Sequence, residues 1–475
     1  MTFNFARALL SLTFSIPIAL SAATLPLEEF LSQVQDKNQS VSASKLIIEG
    51  AELKASEGKL LFRTNIFAQA QTALDKKPTN NIAAQGDQTD YTFFTAGLSQ
   101  QFSSGLQGKL SYNFSHTKIH DASPNFVPLS DFHDGIANLE LSQSLWRNWA
   151  GKESRSQESI LIAQSKASKL AESFKIKAIL AQAESLYWSL SQTQKIVKVQ
   201  KESLERAMKI KNWNQNRLKS GLAESSDFLQ SDANYKAREY ELKSSLQELK
   251  NITRAFNSVR GINSEEFDAQ LESIDAAKIK SLTLPQKVDL REDTKAALEI
   301  QNISKASAEI SMEKNKPTLE LYGSYALNGR NAQGANAVSN SLKTNHDTKV
   351  VGIRFVTPLD FNTTTDNISG YKKDQLAAEQ NYQRKLFEQD QQWSDLSAKF
   401  EDAKIKLSLI EKIEEAQKIK ANNERDRLNK GRTVTFQVLN FEQDYAQSEL
   451  ERIQSETNIL NIYSQLKTFV DGGTK

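Results

Sequence analysis

Residues 217–235 read RLKSGLAESSDFLQSDANY, and residues 427–445 read RLNKGRTVTFQVLNFEQDY. At an offset of 210 positions, Arg217/Arg427, Leu218/Leu428, Gly221/Gly431, Leu229/Leu439 and Tyr235/Tyr445 are identical. A long polar-rich helical pattern runs into each glycine, and a second helical pattern begins just after it. Glycine past the end of a helix supplies the left-handed turn that other residues resist. Each copy therefore predicts the tip of a helix–turn–helix hairpin, written twice in one chain.

Outward from the tips, Arg155 to Lys219 contains neither proline nor glycine. Ile160, Ala163, Ala167, Leu170 and Phe174 step three and four residues apart, the seam of a coiled coil with small residues for close approach. The register slips after Phe174, where Lys177 falls on the seam. At about 1.5 Å per residue such a helix reaches on the order of 100 Å. A return helix is predicted from about 226 to 258. In the second half, long helices are predicted at 291–315, from about Gly370 to Lys430, and from about 435 to 470. Residues 25–57 predict one N-terminal helix, and 262–290 are mixed in character.

Before each long helix the periodicity changes to two. Strands are predicted at about 60–72, 92–102, 108–116 and 136–146 in the first half, and at 317–327 and 349–357 in the second. In the clearest, Ala137, Leu139, Leu141 and Leu145 alternate with Asn138, Glu140, Ser142 and Ser144. That alternation suits a half-buried sheet, or a membrane barrel whose lumen is wet. Ala51-Glu52-Leu53 matches Ala308-Glu309-Ile310, which aligns the two halves ahead of their strands. Between the strand ends and the tips the halves are nearly equal in length. The excess lies in the strand region of the first half, enough for one additional hairpin and a loop. Matched arms are expected if both tips must reach the same depth.

The N-terminus sets the compartment. Arg7, an apolar run from Ala8 to Leu20, and the small residues Ser21 and Ala23 form a secretory signal over residues 1–23. The chain has no cysteine, which excludes a disulfide framework and a lipidated N-terminal cysteine. Sixty Lys+Arg against 58 Asp+Glu give +2, so nucleic acid has no electrostatic support as a partner. No Gly-x-Ser-x-Gly, no phosphate-cradling glycine loop and no His-Glu-x-x-His is present. Catalytic residues, a metal site and a cofactor are not expected, and the chain does not read as an enzyme. His116, His120, His133 and His346 read as histidines in or beside loops.

Taken together, the order signal–helix–strands–long helix–turn–helix, repeated once, resembles the TolC-type outer-membrane factors. The resemblance covers essentially the whole mature chain. It rests on Leu141-Ser142-Gln143-Ser144-Leu145 followed by Trp146-Arg147 at the strand-to-helix junction, and on Gly221-Leu222-Ala223 with Leu229 at the tip. It implies an α+β membrane protein, a homotrimer whose strands close one outer-membrane β-barrel continued by a coiled-coil α-helical barrel in the periplasm. Residues 24–260 would be the first of two internal repeats, 261–290 an equatorial linker, and 291–475 the second repeat. It implies an exit duct of a tripartite efflux pump or type I secretion system for drugs, metal ions or protein. The partners would be outer-membrane lipid, a periplasmic adaptor (membrane fusion) protein and an inner-membrane RND or ABC transporter. A sheet of two to six strands cannot sit in lipid with open edges, so closure by further copies is a physical demand as well.

On this resemblance Arg217, Gly221, Leu222, Ala223, Arg427, Gly431 and Arg432 are the adaptor-docking tips. Arg217, Lys219, Lys430 and Arg432 flank the turns and also suit a second role, bonding carbonyls near the helix ends. The family's acidic constriction would fall at Gln437 and Asn440, which are not acids here; Asp227 and Gln230 hold the matching positions of the first copy. Asp227 is read either as a ring of three carboxylates in a trimer or as a cap of the return helix beside Ser225 and Ser226. Tyr91, Phe94, Phe102, Tyr112, Phe114, Trp146, Trp149, Tyr322 and Tyr325 are candidates for interfacial girdles. The competing reading is a secreted periplasmic coiled-coil scaffold whose strands form a soluble sheet. A periplasmic adaptor is disfavoured, because it needs one hairpin and this chain carries two.

Overall fold

The structure, a computed structural model, describes residues 24–267, 269–272 and 276–471. The predicted signal at 1–23 lies outside them. In chain order the principal elements are helices α1 (Leu27–Lys37) and α2 (Gln39–Lys54), then strands β1 (Thr64–Asp75), β2 (Gln88–Gln101), β3 (Leu106–His120) and β4 (Asp131–Ser144). Helices α3 (Lys152–Lys219), α4 (Ser225–Val259) and α5 (Glu292–Lys314) follow. The second half continues with β5 (Thr318–Asn331), β6 (Asp347–Val356), α6 (Phe361–Asn429) and α7 (Thr435–Leu466). The chain forms two compact units. One takes the chain up to Ala43, Ile176–Val288 and from Gln392 onward; the other takes Ser44–Lys175 and Asp289–Gln391.

The second of these units holds one antiparallel six-stranded sheet in the order β1-β2-β3-β4-β5-β6. The surplus residues of the first half are thus two further strands of that sheet. The strands outrun their apolar alternation, because their ends near residues 88–90, 117–118 and 133–134 are polar on both faces, with Ile119 and Phe132 as lone apolar residues beside them. Register places Ile66, Leu98, Leu110, Leu139 and Tyr325 side by side on one face. The opposite face is polar, with ion pairs Lys109–Glu140 at 3.7 Å, Asp134–Arg330 at 2.7 Å and Glu320–Arg354 at 3.6 Å. Of the girdle candidates, Phe94, Tyr112, Phe114 and Tyr325 lie on the apolar face, whereas Tyr91 and Tyr322 lie on the polar one. Alternation counted along a strand is blind to one aromatic on the wrong parity. Trp146 and Trp149 stand exposed at the strand-to-helix junction.

The loop between β5 and β6 contains a short helix, Gly334–Asn340, packed on the apolar face near the loop end of the sheet. Gly329 makes this possible: a Cβ there would strike the Ala337 carbonyl and the Ser341 amide. Tyr112 Oη and Ser341 Oγ hydrogen bond at 2.9 Å across the same contact. His116 and His133 lie in strands β3 and β4, stacked at 4.3 Å between ring centres, with His116 Nε2 2.7 Å from Asp131 Oδ1. The expected loop placement of these two is therefore corrected, and His120 ends β3.

The other unit is helical, with its core in Phe30, Val34, Tyr187, Trp188, Phe256, Phe400, Leu407, Ile459 and Leu466. Phe30 and Phe256 stack at 4.4 Å. Tyr187 Oη donates to the Leu25 carbonyl at 2.6 Å and accepts from the Glu272 amide at 2.8 Å. It thereby ties down the short parallel pair Thr24–Leu25 and Gln270–Leu271. Burial pushes its phenol up to about 12. Leu271 and Ile279 bring the mixed segment into this core.

Two helix boundaries depart from expectation. The N-terminal helix is broken at Asn38, whose extended backbone frees its Oδ1 to accept from the Ser40 and Val41 amides at 2.9 and 3.2 Å. Side-chain capping competes with helix continuation. The helix predicted from Gly370 instead begins at Phe361. Asp360 caps it, accepting from the Thr363 amide at 3.0 Å and the Thr363 hydroxyl at 2.6 Å.

Candidate functional site

The two hairpin tips close by the same hydrogen-bond pattern. At the first, the Gly221 amide donates to the Leu218 carbonyl at 3.0 Å and the Leu222 amide to the Arg217 carbonyl at 2.8 Å. At the second, Gly431 donates to Leu428 at 2.9 Å and Arg432 to Arg427 at 2.8 Å. These are Schellman motifs, which satisfy the last carbonyls of α3 and α6. They require a left-handed residue, and Gly221 and Gly431 have φ of +68° and +66°. No neighbouring atom lies where a Cβ would stand at either glycine. Backbone sign, not crowding, is the reason for glycine.

The paired arginines repeat as well. Arg217 Nη2 donates to the Leu222 carbonyl at 2.9 Å, and its guanidinium lies 4.4 Å from the Trp213 ring centre. Arg427 Nη2 reaches the Arg432 carbonyl at 3.5 Å, and its Nη1 donates to Glu424 Oε2 at 3.1 Å. Arg217 thus bonds a carbonyl across its turn as expected, and Arg427 does the same in the second copy.

Beyond the turns the copies diverge. Leu229 is 61% exposed while its counterpart Leu439 is 5% exposed, packed with Ile210, Leu428 and Val438. Leu222, Val434 and Phe436 are exposed apolar residues around the turns, and Ala223 is half-buried. Asp227 sits in the first turn of α4, where a carboxylate favours the helix dipole. It does not cap: the capping position is Glu224, without a side-chain cap, and no hydrogen bond to the Asp227 carboxylate forms among the described residues. Gln230 is half-buried, and Gln437 and Asn440 are exposed. Thr433 Oγ1 donates to the carboxylate of Glu424 and lies 3.4 Å from Gln437 Oε1.

One residue escaped the sequence reading. Asn214, 1% exposed, donates to the Asp227 carbonyl at 3.4 Å and accepts from Thr435 Oγ1 at 3.1 Å. It joins the starts of both return helices. A buried asparagine inside a long polar helix has no periodicity signal, since exposed Asn212 and Asn216 flank it. A second tie lies further up, where Glu442 receives Arg206 Nε at 3.0 Å and Arg425 Nε at 2.6 Å. Glu442 is buried, so the two guanidiniums supply the neutralisation that burial demands. The tips thus form one cross-linked layer, with an apolar and cationic surface left uncovered.

No family model matches the chain, and no curated protein matches it by sequence. Solved structures do. The outer-membrane channel OprN superposes with a TM-score of 0.67 at 14% identity, covering 94% of this chain and 90% of that one. The Campylobacter jejuni CmeC outer membrane channel gives 0.66 at 14% identity, over 93% and 85%. The outer membrane protein VceC from Vibrio cholerae gives 0.66 at 12% identity, over 94% and 97%. At these identities the likeness is one of fold, and it extends over nearly the whole chain. The TolC-type resemblance read from the sequence holds at that level.

Proposed function

We propose that the chain, sharing its fold with solved outer-membrane channels, is itself the outer-membrane channel of a tripartite efflux pump or type I secretion system. The observation that carries this reading is the sheet, apolar on one face and polar on the other across its strands, in a chain whose 94% coverage by such channels includes the hairpins. Ile66 and Val351, 83% and 82% exposed on the apolar face, suit acyl chains and not water. Three copies close the wall in the outer membrane, and the helical hairpins extend into the periplasm. The tips, Arg217, Gly221, Leu222, Ala223, Arg427, Gly431 and Arg432, are the surface for a periplasmic adaptor, which couples the duct to an inner-membrane RND or ABC transporter. Energy comes from that transporter; this chain supplies a passive path. Asp227 of three copies forms an acidic ring near the periplasmic mouth, with Gln230, Gln437 and Asn440 as its uncharged neighbours.

Membrane fractionation followed by planar-bilayer recording tests the reading. The expected result is a detergent-extracted trimer that forms discrete conductance steps. A monomer released without detergent overturns it in favour of a periplasmic scaffold. Affinity capture of the trimer after chemical cross-linking identifies the adaptor and transporter class.

A further inference from the structure

Granting the channel reading above, on which this rests, we infer that the first hairpin of the sheet is barrel wall, so that three chains close an eighteen-stranded outer-membrane pore. The sheet has six strands in unbroken sequence order, with β1 and β6 as its open edges. The question is whether β1 and β2 belong to the wall or form a flap outside it. Their side chains answer it. Ile66 in β1 and Leu98 in β2 stand in the same row as Leu110, Leu139 and Tyr325 of the next three strands. The apolar outward band therefore runs into the first hairpin without a step. On the other face Asn65 and Ser99 continue the polar row of Lys109, Glu140 and Ser324. A flap in water would not repeat both faces of a lipid-facing wall at the same height.

The edges carry the second part of the argument. Soluble proteins blunt long sheet edges with proline, bulges, short strands or charged side chains. Here β1 and β6 are 12 and 10 residues long and contain no proline; the outward-facing charges of β6, Asp347 and Lys349, lie at its loop end, and Val351, Ile353 and Phe355 follow along the rest of that face. β1 runs from the helical side toward the loop side, and β6 runs back, so the β6 of one copy meets the β1 of the next antiparallel. An even number of strands per chain closes such a ring with no parallel seam. At eighteen strands, about 4.8 Å apart and tilted about 40°, the wall is roughly 36 Å across between facing backbones. Barrels of that strand number leave an aqueous channel. The membrane wall then sets no size limit on the cargo, and any constriction lies among the helices.

Cryo-electron microscopy of the full-length, detergent-extracted oligomer counts the strands. Eighteen supports the inference. A trimer with a twelve-stranded wall and residues 64–101 lying outside it overturns the inference and leaves the channel reading intact. A monomer with no barrel overturns both. Disulfide trapping gives an independent readout, because the chain has no cysteine of its own. Ala68→Cys or Ala70→Cys is combined with Val351→Cys or Ile353→Cys, and the four pairs sample the edge register. Covalent dimers and trimers on a denaturing gel are expected from at least one pair. Their complete absence from a verified trimer overturns the proposed seam.

Discussion

A glycine held at φ near +68° cannot become proline, whose ring fixes φ near −65°. Gly221→Pro or Gly431→Pro also deletes the amide that donates to Leu218 or Leu428. Each is expected to cost the turn about 3 kcal/mol and to abolish export while leaving the oligomer in the membrane, read by transport and by membrane fractionation. Normal export by both variants would remove the tips from the docking role. Asn214→Ala leaves the Thr435 hydroxyl without its buried acceptor, a loss of about 1–3 kcal/mol confined to the tip layer. Hydrogen exchange should accelerate at the start of α4 and α7 and not in the Phe30–Phe256 core. Glu449 is a third residue-scale case. Burial is the largest cause raising its carboxyl above the usual range; Glu414 and Glu202 add to it, against Arg206 and Arg452. A raised carboxyl stabilises the fold while protonated, and that stabilisation is lost as pH rises through its folded value. Glu449→Gln should therefore raise the thermal midpoint at neutral and alkaline pH, with the gain vanishing in acid. A gain independent of pH would refute this assignment.

For the elements, the two faces of the sheet make opposite forecasts. Leu110→Arg, on the apolar face, should cost about 2–4 kcal/mol and lower the yield of membrane-inserted oligomer. Ser324→Arg, on the polar face, should insert normally and alter conductance. Equal tolerance would contradict the assignment of the faces. All six strands and both long hairpins were legible in the sequence, because a face in contact with one environment imposes a strict period over many residues. What escaped was decided by contacts distant in sequence. Asn38 breaks the first helix with its own side chain and donates to the Val259 carbonyl at 2.9 Å. The short helix Gly334–Asn340 exists because Gly329 admits it, a fact no local pattern announces. At the tips, the identical residues were visible, but the burial of Leu439 against the exposure of Leu229 was not. That difference arises from packing on α3 and α6, which the repeat itself does not encode.

At the scale of the whole molecule, one carboxylate per chain becomes three in a trimer. Asp227→Asn should therefore weaken cation preference and divalent block in planar bilayers, with little change in open conductance. Unaltered selectivity would reduce Asp227 to a charge favouring the α4 dipole. The order of the strands has a different consequence, in the timing of biogenesis. β4 and β5 are hydrogen-bonded neighbours, from His133–Asn331 to Ser144–Glu320, yet α3, α4 and α5 all lie between them in the chain. On the channel reading, in which the chain is exported from its N-terminus, the first four strands emerge with their own apolar rows formed and one seam unfilled. That seam waits until most of the chain has been delivered. Long-range pairing of this kind is slow and aggregation-exposed. On that reading, a holding chaperone would be needed most during the interval in which the first helical hairpin is still being delivered.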